Sequence, residues 1–186
     1  MRTARKPARR PNATRRAAPL SLTMRVERLE KELLFTKSPP TPMAARPRFI
    51  NLDADGKPTT GDHVAVYQTE TGLIWTAAAL RDGAELTHAE AIQAATEVEL
   101  LGAKVWRSPS IRELLSIVDY ERCDPAVDSA HFKGPHGWTW SGTAAKAPAG
   151  YAWSVYLGAG YSSRARQSDR YPALAVRAGQ QLGLGL

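Results

Sequence analysis

The chain has 186 residues and a single cysteine, Cys123. One cysteine excludes a disulfide within the chain, and it excludes a zinc site built from several thiolates of one chain. Such scarcity is typical of proteins that fold in a reducing compartment. We therefore expect the chain to have a cytosolic origin, or to be assembled into a particle inside a cell.

Long apolar runs are also missing. No stretch approaches the roughly 18 apolar residues that a membrane-spanning helix requires, so we expect no membrane insertion. The charged N-terminus is not followed by the apolar segment of a secretory signal peptide, and we expect none. With 43% hydrophobic and 23% charged residues, the composition is that of a globular protein with a real core.

The sequence lacks the short motifs of the common enzyme classes. It contains no Gly-x-Ser-x-Gly elbow, no His-Glu-x-x-His, no phosphate-binding P-loop and no Gly-x-Gly-x-x-Gly. Asp124 follows Cys123 directly, and its carboxylate raises the pKa of the thiol and makes it a poor nucleophile. We predict that the protein is not an enzyme and uses no cofactor.

Two segments resemble metal sites only in part. Residues 52–57, LDADGK, have the Asp-x-Asp-Gly pattern of a calcium loop but lack its later ligands, so we predict a turn. Asp128, His131 and His136 lie close in sequence and could contact a cation. Loop histidines without cysteine partners are more often polar surface, and we predict no metal site.

Acidic residues are absent from residues 1–21, which are rich in Arg, Pro and Ala. The rest of the chain holds 18 basic and 18 acidic residues, so the whole excess of +7 lies in this arm. We expect the arm to be disordered alone. It either solubilises the protein or orders on an acidic partner, such as nucleic acid, or on a protein shell. Its basic residues are Arg2, Arg5, Lys6, Arg9, Arg10, Arg15 and Arg16.

A short amphipathic helix is predicted over residues 22–36. Its apolar residues are spaced by four, three and four positions, which places them on one seam. A helix this short is marginal alone. It requires either copies of itself, in a homo-oligomer for which we favour a trimer, or packing on its own domain. A proline-rich linker follows over residues 37–47. The seam consists of Leu22, Val26, Leu29 and Leu33.

Residues 48–179 have the pattern of one α+β domain, and residues 180–186 form a tail. Short runs of apolar and aromatic residues, separated by turn residues, predict strands at both ends of the domain. Because strands, helices and strands follow one another, we expect two helices on a mostly antiparallel sheet. The predicted strands lie within residues 64–75, 137–143, 151–158 and 171–179.

The first predicted helix begins with a capping box. Thr87 is its N-cap and Glu90 its third helical residue. Alanines at helical spacing give it an apolar face that runs to Leu101. Gly102 is the natural residue just past its end.

A second capping box, formed by Ser110 and Glu113, predicts a helix that ends near Asp119. Arg107 can pair with Glu113 and fix the loop before this helix. All five tryptophans fall within the domain, and we expect most of them to lie in its core. They are Trp75, Trp106, Trp138, Trp140 and Trp153.

Residues 156–171, YLGAGYSSRARQSDRY, are the best candidate for ligand binding. Large apolar side chains nearly vanish here, so the segment should be an exposed hairpin. Tyrosine, serine and arginine are the residues that recognition loops use, and the arginines suit phosphate, sulfate or uronate groups. The alternative is a polar hairpin without a partner. The candidate residues are Tyr156, Tyr161, Ser162, Arg164, Arg166, Asp169, Arg170 and Tyr171.

Six segments follow one another along the domain: TETGLIW, WRSPSIRELLSIVDY, PAVDSAHF, WTWSGT, AWSVYLGAG and AVR. Together they resemble the Lcl C-terminal domain family. The resemblance implies a C-type-lectin-like fold, in a family found in bacterial surface adhesins and in phage and prophage proteins. Its adhesin members bind glycan-type polymers. Ser108 and Val105 depart from the usual leucine and aspartate.

The resemblance and the arm together favour a non-enzymatic protein of a phage or prophage virion, for example of a tail fibre. The arm and helix would attach it to a virion protein, and the domain would bind a glycan or protein ligand on a cell surface. One alternative is a bacterial glycan-binding adhesin module. Another is a nucleic-acid-binding protein that acts through its basic arm.

Overall fold

A computed structural model describes residues 47–179 of the chain. Several predictions concern residues outside this range: the basic arm, the helix with its seam of Leu22, Val26, Leu29 and Leu33, nearly all of the linker, and the tail. These remain predictions. Within the described range the protein is α+β, as the sequence predicts. No helix described there is long and apolar enough to cross a membrane.

The first sheet is antiparallel and consists of four strands. Its central hairpin turns at Gly72, which has a φ of +69° that other residues rarely adopt. The strands predicted within residues 64–75 are confirmed, whereas the first strand has no counterpart in the predictions. In spatial order the strands are β1 (Phe49–Leu52), β2 (Ala65–Gln68), β3 (Leu73–Thr76) and β7 (Val176–Ala178).

The second sheet is also antiparallel and has three strands, in the order β4 (Trp138–Ala144), β5 (Tyr151–Tyr156) and β6 (Tyr161–Arg166). The expectation of one sheet is therefore wrong, because β7 pairs with β3 and leaves β4 to β6 as a separate unit. The segment predicted to be an exposed hairpin also contains a strand, since β6 pairs with β5 along all six of its residues.

The first helix, α1, spans His88–Thr96, and Thr87 and Glu90 form the predicted capping box. The prediction that it continues to Leu101 is wrong. Leu101 and Gly102 have positive φ angles of 57° and 65°, so they belong to a separate turn that follows the helix.

The second helix, α2, spans only Ile111–Leu115 and begins with the predicted capping box of Ser110 and Glu113. It stops before the predicted end at Asp119. The hydroxyl of Ser116 donates to the Glu113 carbonyl oxygen over 2.7 Å, which satisfies a backbone acceptor that a longer helix would have used.

Two hydrophobic clusters hold the sheets together. Residues alternate along each strand, so both sheets contribute side chains to both clusters. The first cluster includes Leu114 of α2 with Val66, Trp75, Val155 and Val176. The second includes Ala91 and Ala95 of α1 with Ile74, Trp140, Ala152 and Ala175.

Candidate ligand-binding surface on the second sheet

Strand β6 is the exposed edge of the second sheet. Five of its six residues are exposed, and only Ala165 is buried. It pairs with β5 alone within the described part of the chain. The candidate segment therefore lies on the surface, as predicted, but it is held in a fixed register rather than displayed as a loop.

The register of β6 divides the predicted site between two faces. Side chains alternate along a strand, so Tyr161 and Ser163 point to one face, and Ser162, Arg164 and Arg166 point to the other. The tyrosine and the arginines that the sequence placed in one site cannot contact the same small group.

On the first face three aromatic residues occupy one row across the sheet. Trp138 lies opposite Tyr156, and Tyr156 lies opposite Tyr161. Their ring centroids are 5.3 to 5.4 Å apart in all three pairs, so the rings lean together. Tyr171 joins them, with its ring 6.1 Å from that of Trp138. We call these four residues the aromatic cluster.

The aromatic cluster is only partly covered. Tyr161 is 53% exposed, and the other three are half-buried. The ring centroids of Tyr171 and the buried Trp140 lie 4.9 Å apart, and this contact anchors the aromatic cluster to the second hydrophobic cluster. Burial, together with the nearby Asp169, raises the pKa of Tyr171, so its phenol is neutral near pH 7.

Glycine allows one ring of the cluster to lie close against the turn after β5. A Cβ atom on Gly158 would stand 2.6 Å from Cε1 of Tyr156, closer than such atoms approach. The Tyr156 ring therefore rests on bare backbone, and Gly158 fixes its position.

On the opposite face lies a second exposed group, the cationic patch, made of Tyr151, Trp153, Arg164 and Arg166. The Arg164 guanidinium lies over the Trp153 ring at 5.9 Å, and Nη1 donates to the Ala147 carbonyl oxygen over 2.6 Å. Nε of Arg166 donates to the Tyr151 hydroxyl over 3.4 Å, which raises the pKa of the guanidinium. Within the described residues neither arginine forms an ion pair, whereas Arg81, Arg107 and Arg170 do.

Two predicted site residues hold the fold together instead. The carboxylate of Asp169 accepts the Arg166 backbone N–H over 2.9 Å. Arg170 forms an ion pair with the Glu90 carboxylate at 3.1 Å, and its Nε donates to the Glu85 carbonyl oxygen over 3.1 Å. Asp169 therefore closes the turn after β6, and Arg170 ties that turn to the beginning of α1.

The sequence profile of the Lcl C-terminal domain family matches residues 64–177. The chain belongs to this family. The match runs from the residue before β2 into β7, and so includes both exposed groups of the second sheet. No curated protein is similar enough in sequence to count as a match.

In this Lcl C-terminal domain three of the candidate metal ligands, Asp53, Asp128 and His131, are engaged with other groups. Oδ1 of Asp53 accepts the backbone N–H of Asp55 and Lys57, which makes the predicted turn. Asp128 pairs with Arg122 at 3.2 Å, and the His131 ring bonds to Asn51 Oδ1 over 2.6 Å. The described residues contain no group of three or more histidine, cysteine or acidic side chains that could hold a metal ion.

The pair of Arg107 and Glu113 is present and doubly hydrogen-bonded, with distances of 2.6 and 2.8 Å. These bonds lower the pKa of Glu113 to about 2. The Thr143 hydroxyl accepts the Ile111 backbone N–H over 3.0 Å, so the same loop is also fastened to β4. The pair therefore stabilises the connection between the two sheets of the Lcl C-terminal domain.

Sequence reasoning missed three residues of the exposed surface: Trp138, Tyr151 and Trp153. The prediction that most tryptophans lie in the core is confirmed by Trp75, Trp106 and Trp140, but it did not tell which tryptophans lie outside it. Spacing along one strand gives the face of a residue, but not whether another element covers that face. The signal in the sequence was the polar composition of β6. Because a polar edge strand is exposed, the residues next to it on β5 are only partly covered.

Proposed function

We propose that this Lcl C-terminal domain has a C-type-lectin-like fold and acts as a recognition module rather than an enzyme. Two capped helices on two antiparallel sheets, together with membership of the family, support the fold. The lack of enzyme motifs in the sequence supports a binding role.

The observation that carries the proposal is the exposed edge strand β6. The other strands of the two sheets are largely covered, whereas β6 exposes tyrosine, serine and arginine side chains from a rigid frame. Rigid aromatic area with adjacent hydrogen-bonding groups is the composition of recognition surfaces. We propose that this strand and its neighbours on β5 contact a glycan or a protein on a cell surface.

We further propose that the protein belongs to a phage or prophage virion. The seven positive charges of the arm and the apolar seam of residues 22–36 support attachment to a particle and assembly into a trimer. Light scattering on the full chain, with Leu29→Asp and Leu33→Asp combined as the comparison, should show a trimer that becomes a monomer. A monomer in both cases contradicts the oligomer.

The charge of the arm also supports nucleic-acid binding as a second function. Residues 47–179 hold 13 basic and 15 acidic residues, so the domain adds no favourable net charge. Binding to duplex DNA should weaken steeply with salt and should disappear when residues 1–21 are removed. Salt-independent binding, or binding by the shortened chain, contradicts this role of the arm.

A glycan array probed with the full chain tests the recognition function. Wild type should bind a subset of glycans, and the double variant Tyr161→Ala with Arg164→Ala should lose this binding. Lys57→Ala, on the turn after β1 of the first sheet, is the matched control and should bind as wild type does. Unchanged binding by the double variant contradicts the proposed surface.

A further inference from the structure

We infer that the aromatic cluster of Trp138, Tyr156, Tyr161 and Tyr171 binds the flat C–H face of an uncharged pyranose ring. The inference rests on the proposed recognition function, names the chemical class of its ligand and assigns the contact to one face of the sheet. The cationic patch on the opposite face is not part of this contact.

The polar side-chain atoms of the aromatic cluster have no hydrogen-bond partner within residues 47–179. Nε1 of Trp138 is not hydrogen-bonded to any described residue, and neither is the hydroxyl of Tyr156, Tyr161 or Tyr171. The buried tryptophans behave differently. Nε1 of Trp75 donates to Gln68, Nε1 of Trp106 donates to the Ala103 carbonyl oxygen, and Nε1 of Trp140 donates to the Leu86 carbonyl oxygen. The three distances are 2.7 to 3.1 Å.

Rings of this kind match the chemistry of a sugar. An aromatic ring has a negative face, which attracts the slightly positive C–H groups on the apolar face of a pyranose. The hydroxyls around the sugar ring can then bond to the unused indole and phenol groups. A ligand with an apolar face and a polar rim satisfies both halves of the cluster at once.

Charge argues against an anionic ligand at this place. No cation among the described residues lies over any ring of the aromatic cluster, since Arg164 stacks on Trp153 across the sheet. Arg170, the nearest arginine in sequence to Tyr171, is occupied by Glu90. The charge that acts on Tyr171 is the carboxylate of Asp169, which would repel an anion.

Size argues for a small ring rather than a folded protein. Large aromatic side chains offer about 150 to 250 Å² each, and three of the four are already half-buried. The exposed area of the cluster is therefore at most a few hundred Å², below the roughly 800 Å² that each partner contributes to a stable protein interface. One or two sugar rings fit this area.

The test uses the full chain and four immobilised polysaccharide fragments: cellohexaose, chitohexaose, maltohexaose and heparin. Wild type should bind at least one of the three uncharged hexasaccharides. Tyr161→Ala should weaken that binding about tenfold or more, as loss of an aromatic contact at an interface does. Tyr151→Ala, the matched tyrosine on the opposite face, should change it less than about twofold.

A second pair of variants avoids removing any ring. In Gly158→Ala the new methyl would displace the Tyr156 ring, whereas in Gly137→Ala it would meet no atom within 4 Å. Neither glycine has the positive φ that would strain an alanine. We expect Gly158→Ala to weaken binding of the same hexasaccharide and Gly137→Ala to leave it unchanged, with both proteins folded.

Two results with the variants overturn the inference. One is equal loss of hexasaccharide binding in Tyr151→Ala and Tyr161→Ala. The other is binding of heparin alone, abolished by Arg164→Ala, which would place recognition on the cationic patch and leave the proposed recognition function standing. Failure of wild type to bind any of the four probes overturns the inference as well, and the glycan array then decides the recognition function separately.

Discussion

The two sheets of the domain use the same residue types in different ways. In the first sheet Val66, Ile74 and Trp75 have no exposed surface, and most of the buried polar groups are paired. Gln68 accepts from Nε1 of Trp75 over 3.0 Å and donates to the Ser116 carbonyl oxygen over 3.0 Å. Thr76 accepts the Ala175 backbone N–H over 3.2 Å, whereas Nε of the buried Arg177 in β7 has no hydrogen-bond partner among the described residues. Since nearly all of its side chains are covered and most of its polar groups are paired, this sheet serves the fold.

In the second sheet burial ends before the last strand. Ser154 and Val155 of β5 are fully buried, yet Trp138 and Trp153 on the flanking rows are half-exposed. Their indole N–H groups have no partner among the described residues. Residue type alone therefore does not tell whether a tryptophan is structural, since the buried Trp75 and Trp140 pair their indole N–H groups and the half-exposed tryptophans do not.

The largest effect should come from the first sheet. Trp75→Ala removes a fully buried ring and leaves Gln68 without its donor, so the free energy of unfolding should fall by about 3–5 kcal/mol. Trp153→Ala, the control on the second sheet, should cost only about 1 kcal/mol, because water already reaches its ring. Urea denaturation of both variants measures the difference, and equal losses would contradict the comparison.

The features of the fold that depend on interactions local in sequence could be predicted. The capping boxes at Thr87 and Ser110, the strands within residues 64–75 and the pair of Arg107 with Glu113 depend on residues a few positions apart. Each of these features has a short sequence pattern with a direct physical cause.

The rest depends on pairing between distant segments. Strand β6 shows no apolar alternation, because it is exposed on both faces at a sheet edge, so no period of two indicates a strand. Likewise nothing in residues 171–179 tells that β7 pairs with β3 rather than with β5. The division of the candidate site between two faces follows from these pairings and could not be predicted without them.

An intermediate effect is expected at the loop that joins the sheets. Arg107 holds the pKa of Glu113 at about 2, below its usual 4.5. The charged form is favoured in the folded state, so this stability is present above pH 4.5 and is lost as the pH falls toward 2. Glu113→Gln keeps the cap but removes the charge, and should lower the free energy of unfolding at pH 7 by about 1–2 kcal/mol after solvent screening.

Chemical denaturation between pH 7 and pH 3 checks this prediction. The loss should be larger at pH 7 than at pH 3, because at pH 3 this carboxyl group is protonated in the unfolded chain and folding must release the proton. Glu97→Gln, which breaks the exposed pair with Arg81, is the matched control and should have a smaller effect. A loss in Glu113→Gln that is the same at both pH values would assign the effect to packing instead of charge.

The smallest effect should arise where α1 meets the second sheet. His88 is buried, its Nε2 lies 3.0 Å from the Ser141 carbonyl oxygen of β4, and its ring packs edge-on against Trp140. Burial lowers the pKa of His88 below its usual 6.5. The neutral form is favoured in the folded state, so its contribution is complete above pH 6.5 and declines as the pH falls below that value.

We expect Tm to fall by roughly 2 °C more between pH 7 and pH 5 in wild type than in His88→Gln, which keeps a donor for Ser141 but cannot be protonated. His131, whose pKa burial also lowers, titrates equally in both proteins and cancels in the difference. Parallel curves for the two proteins would mean that the contact with Trp140 tolerates a charged ring. The buried contact between α1 and β4 would then also be loosely packed. The second sheet would differ from the first in its buried strands, and not only in the exposed strand β6.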